Sequence, residues 1–411
     1  MSELAGSTTD TPTTKAPGRA WLMLIMATLG FAVNFWAWAL LSPLGPLWRD
    51  NNALGNITEG DVALLVAVPV VVGSLGRILV GAWTDRYGGR VMFPLVSVAT
   101  IVPVLVIGFW AQSSLTALLI AGVFLGIGGT AFAVGVPFVN SWFPPAQRGL
   151  AIGIFGAGMG GTAISAFTTV PLYKQSESLP FLATAIALAI YAVAAWLVMR
   201  DAPGRTIPTT SLVARVVANS KLSITWMLAF LYAVAFGGYV AFSVYLPSYL
   251  KVTYELDPGD ASNRMAGFVI VAVIARPLGG WLADKLGAIE VLSGCFMVVA
   301  IGATIASTTP ILEHLGTFAF LGMAAALGAG SGATFALIAK VTEPARVGGV
   351  TGIVGAAGGL GGFLPPLLMG YIYGRTESYA LGLLLLAITA IVALILTITL
   401  VRRKQAEPAA T

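Results

Sequence analysis

Charge is scarce in this sequence: Asp, Glu, Lys and Arg fill 9% of its 411 positions, against about a quarter in a soluble domain. With 57% of positions hydrophobic, water is not its main solvent, and an ordinary soluble globule is excluded. Thiols are scarcer still. The single cysteine, Cys295, rules out an internal disulfide, a thiol metal cluster and a redox pair. The single histidine, His314, stands beside Glu313 at the end of an apolar run and reads as a loop residue rather than a proton relay. No Ser/His/Asp set and no Walker-type phosphate loop is present, so no enzyme activity and no cofactor are expected. The Thr- and Pro-rich stretch before Ala20 lacks an apolar signal region, and no cleavable leader is expected.

What the chain has instead is long apolar runs, each able to cross a hydrocarbon core about 30 Å thick. They fall at 20–48, 61–83, 91–111, 115–139, 147–172, 179–199, 223–250, 264–283, 288–308, 315–340, 347–373 and 379–401. Lipid cannot satisfy open backbone groups, so every run is expected to be helical: an all-α membrane protein of twelve transmembrane helices. Alternate assignment of the loops gives 15 Lys and Arg to the side holding the N-terminus and 5 to the other. By the positive-inside rule both termini are expected in the cytoplasm, in a multi-pass protein of the cell (inner) membrane. The net charge of +5 is thereby spoken for, and the expected partner is the lipid bilayer rather than nucleic acid.

The polar, Pro-containing segment 201–221 reads as a cytoplasmic linker. The expected organisation is a tail at 1–19, a six-helix half at 20–199, a linker at 200–222, a second half at 223–401 and a tail at 402–411. The halves repeat each other. Arg77 aligns with Arg276, Gly149 with Gly348, Gly153 with Gly352 and Gly156 with Gly355, always 199 positions apart. Two pseudo-symmetric six-helix halves are the plan of a transporter that rocks around a central site.

Each half carries one arginine deep in an apolar run. Arg77 precedes Asp85, and Arg276 precedes Asp284, by eight residues, which at 1.5 Å per residue is about 12 Å into the membrane, near its midplane. All seventeen acidic residues lie in tails, in loops or at helix ends. A charge at the bilayer centre is expensive and marks a functional site. Without a carboxylate at that depth, the countercharge must come from a ligand. Guanidinium forks suit a small planar oxyanion, and nitrate, nitrite, formate and bicarbonate all answer that description.

GAWTDRYGGR from Gly81 and GGWLADKLG from Gly279 resemble the two cytoplasmic loop signatures of the major facilitator superfamily. GIGGTAFAVGVPFVNSWFPPAQRG, LYAVAFGGYVAFS and GAAGGLGGFLPP are similar to segments of its nitrate/nitrite porter family. The resemblance covers nearly the whole chain. It implies that Arg77 and Arg276 hold a nitrate or nitrite ion while Phe132, Tyr232 and Phe236 sandwich it, with the tracts at Gly156 and Gly355 beside the site. Phe335 is a weaker candidate for the same pocket. Tyr232 and Phe236, four apart, share a helix face. The resemblance also implies an inward gate at Asp85, Arg86, Arg148 and Asp284, with Gly81 and Gly280 in the loop signatures. One departure stands out: where the family often has an asparagine on the anion, this chain has Met159 followed by Gly160.

No ionisable group that could carry a proton is seen inside the membrane, and two arginines that repel each other make reorientation of the unloaded carrier costly. The expectation is nitrate/nitrite exchange by a protein acting as a monomer. Proton-coupled nitrate or nitrite symport, exchange of formate or oxalate, and an anion sensor that does not transport are the alternatives.

Overall fold

The computed structural model describes residues 18–51, 54–203, 212–342 and 346–401. Residues 1–17 of the N-terminal tail, the C-terminal tail at 402–411 and the middle of the linker at 204–211 lie outside the described residues, and Gly18 and Arg19, expected in the tail, open the first helix. Twelve helices long and apolar enough to cross a membrane run at Gly18–Asp50, Glu59–Tyr87, Gly89–Ala111, Leu115–Trp142, Leu150–Gln175, Leu179–Val198, Ser223–Tyr254, Pro258–Leu286, Ala288–Ser307, Leu312–Ile338, Gly349–Thr376 and Ala380–Thr399. They are called spans one to twelve below. Among the described residues there is no strand.

Boundaries follow local chemistry. Span two starts on a capping box, in which the Thr58 hydroxyl accepts from the Asp61 N–H and the Asp61 carboxylate accepts from the Thr58 N–H. Span eight starts behind Asp257, whose carboxylate accepts from Gly259 N–H at 2.8 Å. Gly88 and Gly287, with φ of 82° and 105°, make the tight turns after spans two and eight.

One stretch differs from the expected plain linker. Leu212–Ser220 is helical. Trp226 Nε1 donates to the Ser220 carbonyl and Thr225 Oγ1 to that of Asn219, tying this helix to the start of span seven.

Several spans lose regular winding in the middle. Gly126–Thr130 in span four and Ala157–Gly160 in span five are 3₁₀, and Ala233–Gly237 in span seven is a π-turn. Such breaks turn carbonyls and side chains out of the regular ladder and recur at functional sites.

Contacts between the first six and last six spans include a polar group at the face opposite the first and last described residues. Asp50 pairs with Lys251, Lys174 Nζ lies 3.9 Å from Asp257, and Tyr245 donates to Glu59 Oε1 at 3.0 Å. Glu59 is also paired with Arg49 and is buried, although it is the first residue of its span. The Lys174–Asp257 pair is well exposed and contributes little. Asp50 and Lys251 are more sheltered, with 34% and 14% of their side chains exposed.

Candidate functional site: two buried arginines on shared aromatic rings

Arg77 lies inside span two and Arg276 inside span eight, both buried. Among the described residues neither pairs with a carboxylate. Each instead reaches across to the opposite half. Arg77 Nη1 donates to the carbonyl of Gly355 in span eleven at 2.9 Å, and its Nε donates to the carbonyl of Gly129 at 3.3 Å. Gly129 is in the 3₁₀ segment of span four. Arg276 Nη2 donates to the Tyr232 hydroxyl at 3.2 Å, and its Nη1 faces the Met159 sulphur at 3.1 Å. Met159 is fully buried in the 3₁₀ segment of span five.

The glycine partners are reciprocal in the same way. A Cβ at Gly156 would lie 2.7 Å from Arg276 Nε, so the absent side chain is what admits the guanidinium. Gly355 serves Arg77 through its carbonyl, and its own Cβ position is 3.4 Å from Phe132. The 199-residue repeat thus appears in space as two arginines, each seated on the other half's glycine tract.

Rings fill the space between them. The Arg77 guanidinium carbon is 5.1 Å from the Phe132 centroid and 5.7 Å from that of Phe236; for Arg276 the distances are 5.8 and 5.4 Å. The two distances to Phe132 cap the separation of the guanidinium carbons at about 11 Å, where like charges still repel by about 1.5 kcal/mol at an effective dielectric of 20. Cation–π contacts offset part of this. Tyr232 and Phe236 stack with centroids 5.0 Å apart and planes within 1°, while Phe132 lies 6.0 Å from Phe236 at 26°. Phe335 belongs to the cluster as well, 4.9 Å from Tyr232 and 5.9 Å from the Arg276 carbon.

Arg77, Arg276, Phe132, Tyr232, Phe236, Gly156, Gly355 and Phe335 therefore come together. Gly129, Tyr239 and Thr162, not singled out from sequence, join them. Tyr239 donates to the Met159 carbonyl at 3.1 Å and lies 3.0 Å from Thr162 Oγ1. Tyr239 follows Tyr232 by seven residues and Phe236 by three, so the helix-face pattern that linked those two extended to it.

The loop-signature residues lie away from this cluster. Arg148 donates to the carbonyls of Asn140 and Phe143 at 3.1 and 3.0 Å, and the Arg86 guanidinium sits 5.6 Å from the Tyr87 ring. Asp85 is half-buried and Asp284 exposed. A Cβ at Gly81 or Gly280 would meet nothing closer than 4.0 or 3.9 Å, whereas at neighbouring Gly279 it would lie 2.1 Å from the Ala329 carbonyl oxygen. Close packing in the second signature rests on Gly279.

The sequence profile of the Major Facilitator Superfamily matches residues 27–262 and 228–411. Among solved structures, the chain resembles a D-xylose-proton symporter with a TM-score of 0.75 at 14% identity, covering 95% of this chain and all of that one. A bacterial homologue of the lysosomal transporter Spinster gives 0.72 at 17% identity, over 97% of this chain and all of the other. These likenesses concern the fold. Closer in sequence is the "Probable nitrate/nitrite transporter NarK2" of Mycobacterium tuberculosis, 44% identical over 94% of this chain and 98% of the relative. The "Nitrite extrusion protein" of Bacillus subtilis is 34% identical over 92% of this chain and 94% of its own length. The "Probable nitrate transporter NarT" of Staphylococcus epidermidis is 33% identical over 93% and 97%. With twelve spans, paired buried arginines and these relatives together, the chain belongs to the major facilitator superfamily and, within it, to the nitrate/nitrite porters, which are membrane transporters and not enzymes.

Proposed function

We propose that this protein exchanges nitrate for nitrite across the cell membrane by alternating access, with the anion held between Arg77 and Arg276. The observation that carries this reading is the arginine pair itself: two buried guanidiniums from opposite halves, sharing the faces of Phe132 and Phe236, with no carboxylate to balance them among the described residues. An anion there neutralises the mutual repulsion, and a flat oxyanion suits both the forks and the rings. Flat contacts on two sides need about 7 to 8 Å between ring planes. Phe132 and Phe236, with centroids 6.0 Å apart, would have to part by roughly 1 to 2 Å to hold such an ion.

In this reading residues 20–199 and 223–401 are the two bodies that rock, acting as a monomer, with the linker and both termini in the cytoplasm. Asp85, Arg86, Arg148 and Asp284 then guard the inner mouth, and Asp50, Lys251, Glu59 and Tyr245 close the outer one. Because the arginines repel without a bound anion, the loaded carrier reorients more easily than the unloaded one, and exchange is favoured over net uptake.

Counterflow in proteoliposomes tests the coupling. Nitrate uptake is expected to require nitrite or nitrate trapped inside and to ignore an imposed proton gradient. Uptake into vesicles free of both ions and driven by protons would replace exchange by symport, while formate or oxalate competing as well as nitrite would replace the substrate. The outer closure has its own test. Asp50→Lys should slow exchange by about threefold to tenfold by setting two cations against each other, and adding Lys251→Asp should restore most of the rate. A double variant as slow as the single one would remove the pair from the gate.

A further inference from the structure

The two arginines are held unequally. Arg77 is anchored on two backbone carbonyls, those of Gly129 and Gly355, which are strong acceptors. Among the described residues, Arg276 has the Tyr232 hydroxyl on Nη2, but on Nη1 only the sulphur of Met159, a weak acceptor. That methionine is not placed there loosely. Its backbone carbonyl accepts from both the Tyr239 hydroxyl and Thr162 Oγ1, at 3.1 Å each, so the segment carrying it is pinned from span seven and from within span five. Gly156, one turn earlier, leaves the gap through which the guanidinium approaches.

We propose that Met159 is a positioning residue for the substrate: its thioether is the displaceable partner of Arg276, holding Nη1 in the site until an anion oxygen takes its place. The inference rests on the reading of Arg77 and Arg276 as the anion clamp. A carbonyl in this position would compete with the incoming anion for the same N–H. A purely apolar side chain would leave the N–H without an acceptor in a buried site, a state that an anion relieves fully. The thioether lies between these extremes, so even a weakly basic oxyanion displaces it, and the bond lost in doing so weakens apparent affinity by a modest factor.

That order fixes the sign of the test. In Met159→Leu the volume is nearly conserved and the acceptor removed. The half-saturation concentration for exchange should fall on the order of threefold to tenfold, by the same factor for nitrate and for nitrite, because the competitor is removed before the identity of the anion matters. Met159→Ile, also without sulphur but of different shape, should move in the same direction. Thermal stabilisation of the purified full-length variants by nitrate gives the same ordering without relying on turnover.

Half-saturation that is unchanged or raised in the leucine variant would overturn the proposal, as would opposite shifts in the leucine and isoleucine variants, which would mean that shape decides. A fall for only one of the two anions would also overturn it, since Met159 would then be touching the ion rather than competing with it. Arg276→Lys, assayed in parallel, separates the two levels of the argument. If that variant keeps parental exchange, the clamp itself is wrong. If it loses exchange while the Met159 variants keep the parental half-saturation, only the role of Met159 fails.

Discussion

Replacing Arg276 by lysine is expected to lower nitrate/nitrite exchange about 100-fold while leaving a folded protein, and Arg77→Lys is expected to do the same. Lysine keeps the charge, so any surviving difference is due to the fork. Arg276 uses two separate nitrogens on Tyr232 and Met159, and Arg77 uses two on the carbonyls of Gly129 and Gly355. In each case the guanidinium is fixed by protein partners while its plane stays near the Phe132 and Phe236 rings. An ammonium is a point charge with no plane, and it cannot span two acceptors on different helices while presenting a flat edge to an oxyanion. A charge-assisted hydrogen bond contributes roughly 1.5 to 3 kcal/mol, and losing one such bond to the anion corresponds to a factor of roughly 10 to 150. The measurement is the initial exchange rate in proteoliposomes, scaled to protein that elutes as a single species. Arg264→Lys, paired with Asp260 one turn earlier on its own helix, is the control for a charge-preserving change outside the clamp and the outer gate. Near-parental exchange in Arg77→Lys or Arg276→Lys would remove that residue from the site.

Both arginines could be found from the sequence because a charge inside an apolar run is visible in one dimension, and counting to the next aspartate sets its depth. The twelve spans were legible for the same reason, since lipid demands a length and a composition that no packing detail overrides. The ring cluster was partly legible. Tyr232 and Phe236 declared a common face by their spacing, and Tyr239 stood on it unnoticed. The partners of the arginines were legible only in part: the family resemblance put Gly355 and Tyr232 at the site, but nothing in the sequence paired Arg77 with Gly129 or Arg276 with the Met159 sulphur. Gly355 is 278 positions from Arg77, and Met159 is 117 from Arg276. Met159 drew attention only as a departure from a family pattern, and its sulphur contact exists because span five packs against span eight. The pairing of Asp50 with Lys251, 201 positions apart, depends in the same way on how the halves meet. Glu59 reads as a solvent-facing helix start, and its burial comes from Tyr245 arriving from the other half.

Glycines mark the clearest boundary between what spacing conveys and what packing decides, and they supply the second large effect. Gly332→Ala is expected to destabilise the protein by about 3 kcal/mol, the upper part of the range for overpacking, and to sharply reduce the yield of folded carrier. A Cβ at Gly332 would lie 2.1 Å from the carbonyl oxygen of Arg276, and one at Gly328 would lie 2.1 Å from that of Ala272. These four positions form two i, i+4 pairs, one on span ten and one on span eight, so the helices meet backbone to backbone along one seam. Neither neighbour is a flexible side-chain tip, and spans eight and ten would have to part by about 1 Å to regain ordinary contact. The carbonyl that would be pushed belongs to Arg276 itself, so any carrier that does fold should also show weakened exchange. Gly352→Ala is the matched control. Its Cβ would meet nothing within 4 Å, and the change should be neutral or stabilising by up to about 1 kcal/mol, because alanine is the better helix former. Thermal unfolding of the purified variants in detergent, read beside exchange in proteoliposomes, decides the point. Equal melting temperatures for Gly332→Ala and Gly352→Ala would mean that the seam between spans eight and ten yields easily, and the precise seating of Arg276 could not then depend on it.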